Sequence, residues 1–223
     1  MSRLFRLADN RRPDSLANTL RRRRMRIFWT LIETLPHPVR VLDLGGTVGF
    51  WKQMGGLGRG GLEIVLVNLN PETTSAANIE ALTGDARDLS QLDDDSFEVV
   101  FSNSVIEHLS TWEDQLAMAA EIQRVGCRYF IQTPNRHFPI EPHFLVPGFQ
   151  FLPVEARIAL VRRLALGYHD RLPDPADARR AVEEIRLLSA AELRRLFPGA
   201  NIDRERILGL TKSLIALGGW SKP

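Results

Sequence analysis

The sequence predicts an α/β fold built on a mostly parallel sheet, and three observations carry that prediction. Apolar runs of strand length recur at residues 39–44, 64–70, 79–82, 97–102 and 129–133. The second run is almost unbroken, as in a strand buried on both faces. Stretches with helical spacing separate several of the runs, and such alternation implies right-handed crossovers between parallel strands. Finally, the first run ends in Gly45, Gly46 and Gly49 just before a helix-like segment, so the chain passes from strand through tight turn to helix.

The elements follow in order. Residues 1–36 carry Arg11 and Arg12, then four arginines at 21–24, then Phe28, Leu31, Ile32 and Leu35 at helical spacing. This reads as a basic N-terminal helical extension whose later half packs on the domain and which Pro36 and Pro38 end. Its arginines form a solvated face or a wall of a substrate cleft. Phosphates of RNA or a membrane surface are the alternative partners. A short helix spans 50–54. The glycine-rich stretch 55–61 lacks the Lys-Ser/Thr ending of a phosphate loop and reads as a connection. The link between the second and third strands has room only for a stunted helix. Residues 84–89 form a loop, Asp93, Asp94 and Asp95 a solvated acidic turn, and residues 104–122 a helix. The proline-rich stretch 134–185, around a helical piece at 154–166, is too long for an idle connection and reads as a lid. Ser189 with Glu192 makes a capping box. Two strand-like runs, 202–208 and 212–217, close the chain.

The 223 residues, 44% of them hydrophobic, suit one α/β domain with a sizeable core. A net charge of +2 demands no polyanionic partner. The single cysteine, Cys127, excludes an intramolecular disulfide and is expected to be a buried structural thiol in a reducing compartment. No run approaches the roughly 18 apolar residues of a membrane span, and the N-terminal arginines precede no apolar signal region. A cytoplasmic location is the expectation. A homo-oligomer is compatible with the sequence.

The glycine spacing does not match the G-x-G-x-x-G dinucleotide fingerprint. With Asp43 leading, Asp43-Leu44-Gly45-Gly46-Thr47-Val48-Gly49 resembles the first motif of the class I S-adenosylmethionine-dependent methyltransferases, (D/E)-x-G-x-G-x-G, with Thr47 at the middle glycine. Asn68 stands where that family carries an acidic residue for the ribose hydroxyls. Gly84-Asp85-Ala86 resembles the segment that meets the adenine. Residues 102–109 and 133–144 resemble the segments after strands four and five in small-molecule methyltransferases, and the Asn/Asp-Pro-Pro-Tyr motif of amino-methylating nucleic-acid enzymes does not occur. The resemblance covers residues 39–217. It implies a Rossmann-like three-layer sandwich with a mostly parallel seven-stranded sheet and an antiparallel last strand. The N-terminal extension is then 1–36, the methyltransferase domain 37–223 and the lid insertion about 136–185. It implies S-adenosylmethionine as cofactor, with Asp43, Gly45, Gly46, Gly49, Asn68, Asp85, Ala86 and Asn103 around it.

The reaction so implied is in-line methyl transfer, directed to an oxygen of a small molecule such as a sugar or lipid-linked metabolite. The apolar stretch 144–153 is a candidate surface for an apolar acceptor. A hydroxyl acceptor benefits from a base, and histidine suits that role near neutral pH. His143 and His108, with Glu107, are the candidates, and His137 stands behind them. His108 has a structural alternative, tied to backbone or to Glu107. Glu107, His108, Glu141 and His143 would also suit a divalent ion, as in relatives with Glu-x-x-Glu-His and a later histidine. Ser104 replaces the first Glu here, so no metal is expected. Two other functions compete: an RNA methyltransferase guided by Arg21, Arg22, Arg23 and Arg24, and a non-catalytic binding or scaffold protein on the same fold.

Overall fold

A computed structural model describes residues 15–71 and 73–220. Arg11, Arg12 and the rest of the extension before Ser15 lie outside the described residues. The helices are α1 (Leu16–Ile32), α2 (Val48–Met54), α3 (Trp112–Val125), α4 (Val154–Arg163), α5 (Pro175–Glu183) and α6 (Ala190–Leu196). The strands are β1 (Val39–Leu44), β2 (Leu62–Asn68), β3 (Ile79–Thr83), β4 (Val99–Asn103), β5 (Tyr129–Pro134), β6 (Asn201–Ile207) and β7 (Leu210–Gly218).

The seven strands form one sheet in the order β3-β2-β1-β4-β5-β7-β6. β1 to β5 run parallel, and β7 pairs antiparallel with both β5 and β6. Strand order reverses between β1 and β4, which pair from Val41 with Val99 to Leu44 with Ser102. In an open sheet of this kind ligands bind outside the carboxyl ends of the strands at such a reversal.

Side-chain alternation divides the core in two. Val39, Val41, Ile64, Leu66, Phe101, Phe130 and Ile215 face α1 and α2, where Met25, Phe28, Ile32, Trp51 and Met54 complete one core. Leu42, Leu44, Val65, Val67, Val100, Ile131 and Leu214 face α3 and α6. The result is the expected three layers. A third cluster, with Phe144, Phe149, Ile158, Val161, Ala178 and Val182, lies wholly within the insertion between β5 and α6. The apolar stretch proposed for the acceptor therefore has a divided fate. Phe144 and Phe149 are buried in the insertion's own core, and Phe151 and Leu152 remain exposed.

Helix starts follow local chemistry. Ser15 caps α1, Thr47 caps α2, Thr111 caps α3 and Asp174 caps α5, each side chain accepting a backbone N–H of the first turn. The capping box of Ser189 and Glu192 is present at α6. Three expectations need correction. The helix placed at 104–122 begins only at Trp112, because Ser104 takes a left-handed conformation (φ 61°) and residues Ile106–His108 make a 3-10 turn. Between β2 and β3 the described residues contain no helix. Cys127 is exposed rather than buried, because it sits in the turn after α3, with its thiol donating to the Asp95 carbonyl. Among the described residues, no helix is long and apolar enough to cross a membrane.

Candidate functional site

The turn after β1 makes the first half of the site. Gly45 adopts φ +79°, in the region that glycine favours, and its N–H donates to Val67 O at 2.9 Å. Gly46 is closed to any side chain, since a Cβ there would fall inside the Asp43 carboxylate. Trp51 Nε1 donates to Asp43 Oδ2 at 2.8 Å and holds that carboxylate under the turn. Asp43 Oδ1 is buried, with no hydrogen-bond partner among the described residues. Burial pushes the Asp43 carboxyl up to about 7, and the Trp51 hydrogen bond offsets only part of that shift. A cavity of about 290 Å³ opens above the turn, lined by Arg21, Asp43, Gly45, Gly46, Thr47, Phe50, Gln53, Phe101 and Asn103.

The N-terminal helix supplies one wall. Leu20, Arg24, Phe28 and Ile32 lie four residues apart on its buried face. Arg24 thus occupies an apolar stripe, and it is satisfied at its tip. Nη1 donates to Asn103 Oδ1 and to Gln132 Oε1 (2.7 Å), and Nη2 donates to both Glu205 oxygens (3.0 and 3.2 Å). Arg24 is therefore not part of a solvated face. Arg22 and Arg23 are exposed, whereas Arg21 is partly buried over Phe50, 5.8 Å from the ring centre, and reaches the cavity. Burial also lowers the Lys212 ammonium, on β7.

The second half of the site follows β4 and β5. Glu107 is buried; Oε2 accepts from Thr133 Oγ1 at 3.0 Å, and Oε1 has no partner among the described residues. Its carboxyl is pushed up by burial, partly offset by the charge of His143. His143 Nδ1 lies 2.7 Å from Glu141 Oε1. Glu141 Oε2 accepts the backbone N–H of His143 (2.7 Å) and of Phe144 (2.6 Å), so the loop fixes its own acid. Burial draws the His143 imidazolium down, but the Glu141 hydrogen bond and the charges of Glu141, Glu107 and Glu184 outweigh it, and the net shift is upward. His108 packs edge-on to His143 with ring centres 5.0 Å apart. Burial and then the neighbouring His143 lower its value. One donor atom each from Glu107, His108 and His143 lie within 4.8 Å of one another. The expected approach of the segments after β4 and β5 is therefore present, and His137 lies apart, exposed and stacked near Phe151.

The structure separates the predicted cofactor residues into two groups. Asp43, Gly45, Gly46 and Asn103 line the cavity, and Gly49, Asn68, Asp85 and Ala86 do not. Gly49 sits within α2, where a Cβ would meet Thr47 Oγ1 at an ordinary contact distance of 3.9 Å. Asn68 Nδ2 donates to Gly46 O at 2.9 Å and so braces the glycine turn. Asp85 is engaged by Arg87, which donates to both its oxygens, and that hydrogen bonding lowers its carboxyl pKa. Sequence reasoning missed Phe50, Gln53 and Phe101. Only the helical register of residues 16–32 could have separated Arg21 from its neighbours.

A family model described as a methyltransferase domain matches residues 42–128, the segment from β1 through α3. That match takes in the glycine turn after β1 and the turn after β4, and it covers less than half of the chain. Solved structures share this fold. The CurJ carbon methyltransferase superposes with a TM-score of 0.57 at 11% identity, over 92% of this chain and 55% of that one. The N-terminal domain of EvdMO1, solved in the presence of S-adenosylhomocysteine (SAH) and D-fucose, gives 0.53 at 16% identity over 90% and 82%. A putative sarcosine dimethylglycine methyltransferase from Galdieria sulphuraria gives 0.53 at 19% identity over 84% and 61%. Uncharacterised proteins from two Mycobacterium tuberculosis strains are 36% identical to this chain over 53 residues, 24% of its length. That segment spans 18% of their own length.

Proposed function

We propose that the chain binds S-adenosylmethionine in the cavity above Gly45 and Gly46 and transfers its methyl group to an oxygen of a small molecule, of sugar or lipid-linked type. The residues suit the cofactor. Gly46 cannot carry a side chain beside Asp43, so its backbone stays open to close approach by a ligand. Arg21 is the cation on the cavity wall and is the partner for the cofactor's carboxylate. Asn103, whose Oδ1 accepts from Arg24, lines the same space.

Bound S-adenosylmethionine supplies an electrophilic sulfonium methyl. What remains for the chain is to align an acceptor, exclude water and remove a proton. His143 carries the last task. Glu141 takes up Nδ1, which leaves Nε2 as the proton-accepting nitrogen for an acceptor hydroxyl. The observation that supports this reading is the approach of His143, held by Glu141, to Glu107 and His108, which follow β4, the strand whose last residue, Asn103, lines the glycine cavity.

The CurJ neighbour is named a carbon methyltransferase, so the acceptor atom is tested by product analysis. SAH titrated into the purified chain should bind with one-to-one stoichiometry by calorimetry. Radiolabelled methyl should then appear as a base-stable ether on a hydroxylated acceptor panel. Label found on carbon, or no SAH binding, refutes the oxygen reading or the cofactor reading respectively.

A further inference from the structure

Glu107 poses a problem that the protein alone does not solve. Its Oε1 is buried and has no hydrogen-bond partner among the described residues, and its Oε2 is already used by Thr133. An open carboxylate oxygen out of water is costly unless a proton or a cation meets it. Two imidazoles stand beside it, and one donor atom from each of the three residues falls within a 4.8 Å circle. Metal–ligand bonds of about 2.0–2.2 Å hold donors within roughly 4.4 Å of one another, so a small side-chain adjustment would bring these three onto one ion. The histidine orientation is also fixed from behind. Glu141 engages His143 Nδ1 at 2.7 Å and is itself held by two backbone N–H groups. A carboxylate behind a histidine is the usual outer support of a metal ligand, and it leaves Nε2 as the donor.

We propose that Glu107, His108 and His143 bind a first-row divalent cation, with Glu141 as the positioning residue. One carboxylate oxygen and two imidazole nitrogens suit zinc and its transition-metal neighbours rather than magnesium or calcium, which prefer all-oxygen shells. Three protein ligands leave a position open for an acceptor oxygen, and the exposed side of His108 gives access. Ser104, whose replacement of a glutamate argued against metal, lies outside the ligand set, with its Oγ donating to Gln132 Oε1 at 2.9 Å. The inference rests on the cofactor reading above and replaces the base assigned there: His143 would serve as a ligand, and a bound ion would supply the acidification of the acceptor hydroxyl.

The test is direct binding to the full chain after chelator treatment. Zn2+ is titrated by calorimetry, and Co2+ by visible absorption. One equivalent should bind, zinc should displace the cobalt band, and Mg2+ should not compete. E141Q should weaken binding about 10- to 100-fold; E107Q, H108A and H143A should weaken it further, and H137A should leave it unchanged. His108 is exposed, so H108A keeps the test alive if E107Q fails to fold. No saturable binding, or binding indifferent to these variants, overturns the proposal. SAH calorimetry on the same samples separates the two readings: SAH binding by a protein that takes no ion refutes only the metal site.

Discussion

Replacing Arg24 with Met tests whether the N-terminal helix is bound to the sheet through charge. The side chains of Arg24 and Glu205 are each 5% exposed, and Nη2 reaches both carboxylate oxygens. Met fills a similar volume in the apolar stripe formed by Leu20, Phe28 and Ile32, so lost packing is a small part of the effect. The main loss is electrostatic. Glu205 is left buried without its cation, and Gln132 and Asn103 lose a donor. Breaking a buried pair by removing one partner costs about 3–5 kcal/mol, whereas an exposed pair is worth about 0–1 kcal/mol. With a urea dependence of about 2–3 kcal/mol per molar, the unfolding midpoint should fall by roughly 1–2.5 M. Adding Glu205→Gln to Arg24→Met removes the stranded charge and should restore a large part of the loss. The assay is urea unfolding of the wild type, both single variants and the double variant, followed by circular dichroism. A loss below about 1 kcal/mol for Arg24→Met, or a double variant no better than the single, would refute the buried-pair reasoning.

Gly46→Ala should destabilise the fold by about 1–3 kcal/mol, because the new methyl meets an Asp43 carboxylate that Trp51 holds in place. It should also abolish SAH binding. Gly49→Ala, with only Thr47 Oγ1 within 4 Å, should leave SAH binding intact and stabilise α2 by up to about 1 kcal/mol; thermal unfolding and SAH calorimetry check both. Arg21→Met should weaken SAH binding by about 1.5–3 kcal/mol, the range for a hydrogen bond to a charged group, and an unchanged affinity removes Arg21 from the cofactor site. Asp43 gives a pH signature. Its folded value of about 7 lies above the ordinary 3.8, so between these values the folded chain keeps a proton that the unfolded chain has lost. Its stabilisation is therefore full below about pH 4 and falls as pH rises through 7, by at most about 1.4 kcal/mol per unit. Asp43→Asn should remove that component; unfolding midpoints with the same pH slope in both proteins would contradict the assignment.

The sheet was legible because its strands are read by local rules. Val-Leu-rich runs bounded by glycine, proline and aspartate mark β1 to β5, and the Ser189 capping box is visible in four residues. The site was legible where the chain itself forms it, at Asp43, Gly45 and Gly46. It was obscure where partners come from afar. Nothing near Asp85 in sequence distinguishes a ligand-facing aspartate from one taken up by Arg87 two residues on. Nothing in an arginine run shows that the fourth member turns inward, since its acceptors lie on β4, β5 and β6. The late start of α3 was missed because a helical pattern hides a single left-handed residue, Ser104. The second helix of the insertion did have a signal, Asp174 followed by Pro175, the ordinary beginning of a helix.

The span between Arg24 and Glu205 sets an order of events during synthesis. The two residues are 181 positions apart, and a ribosome adding about 5–20 residues each second needs roughly 10–40 s to make that length. Through that interval α1 carries an arginine in its apolar stripe with no carboxylate yet made to meet it. The helix can form early, but it cannot settle. Asn103, which lines the cavity, depends on the same guanidinium. The cavity therefore reaches its final shape only when β6 is added at the far edge of the sheet. A nascent chain stalled before β6 would contain every residue of the glycine turn and still lack the finished wall.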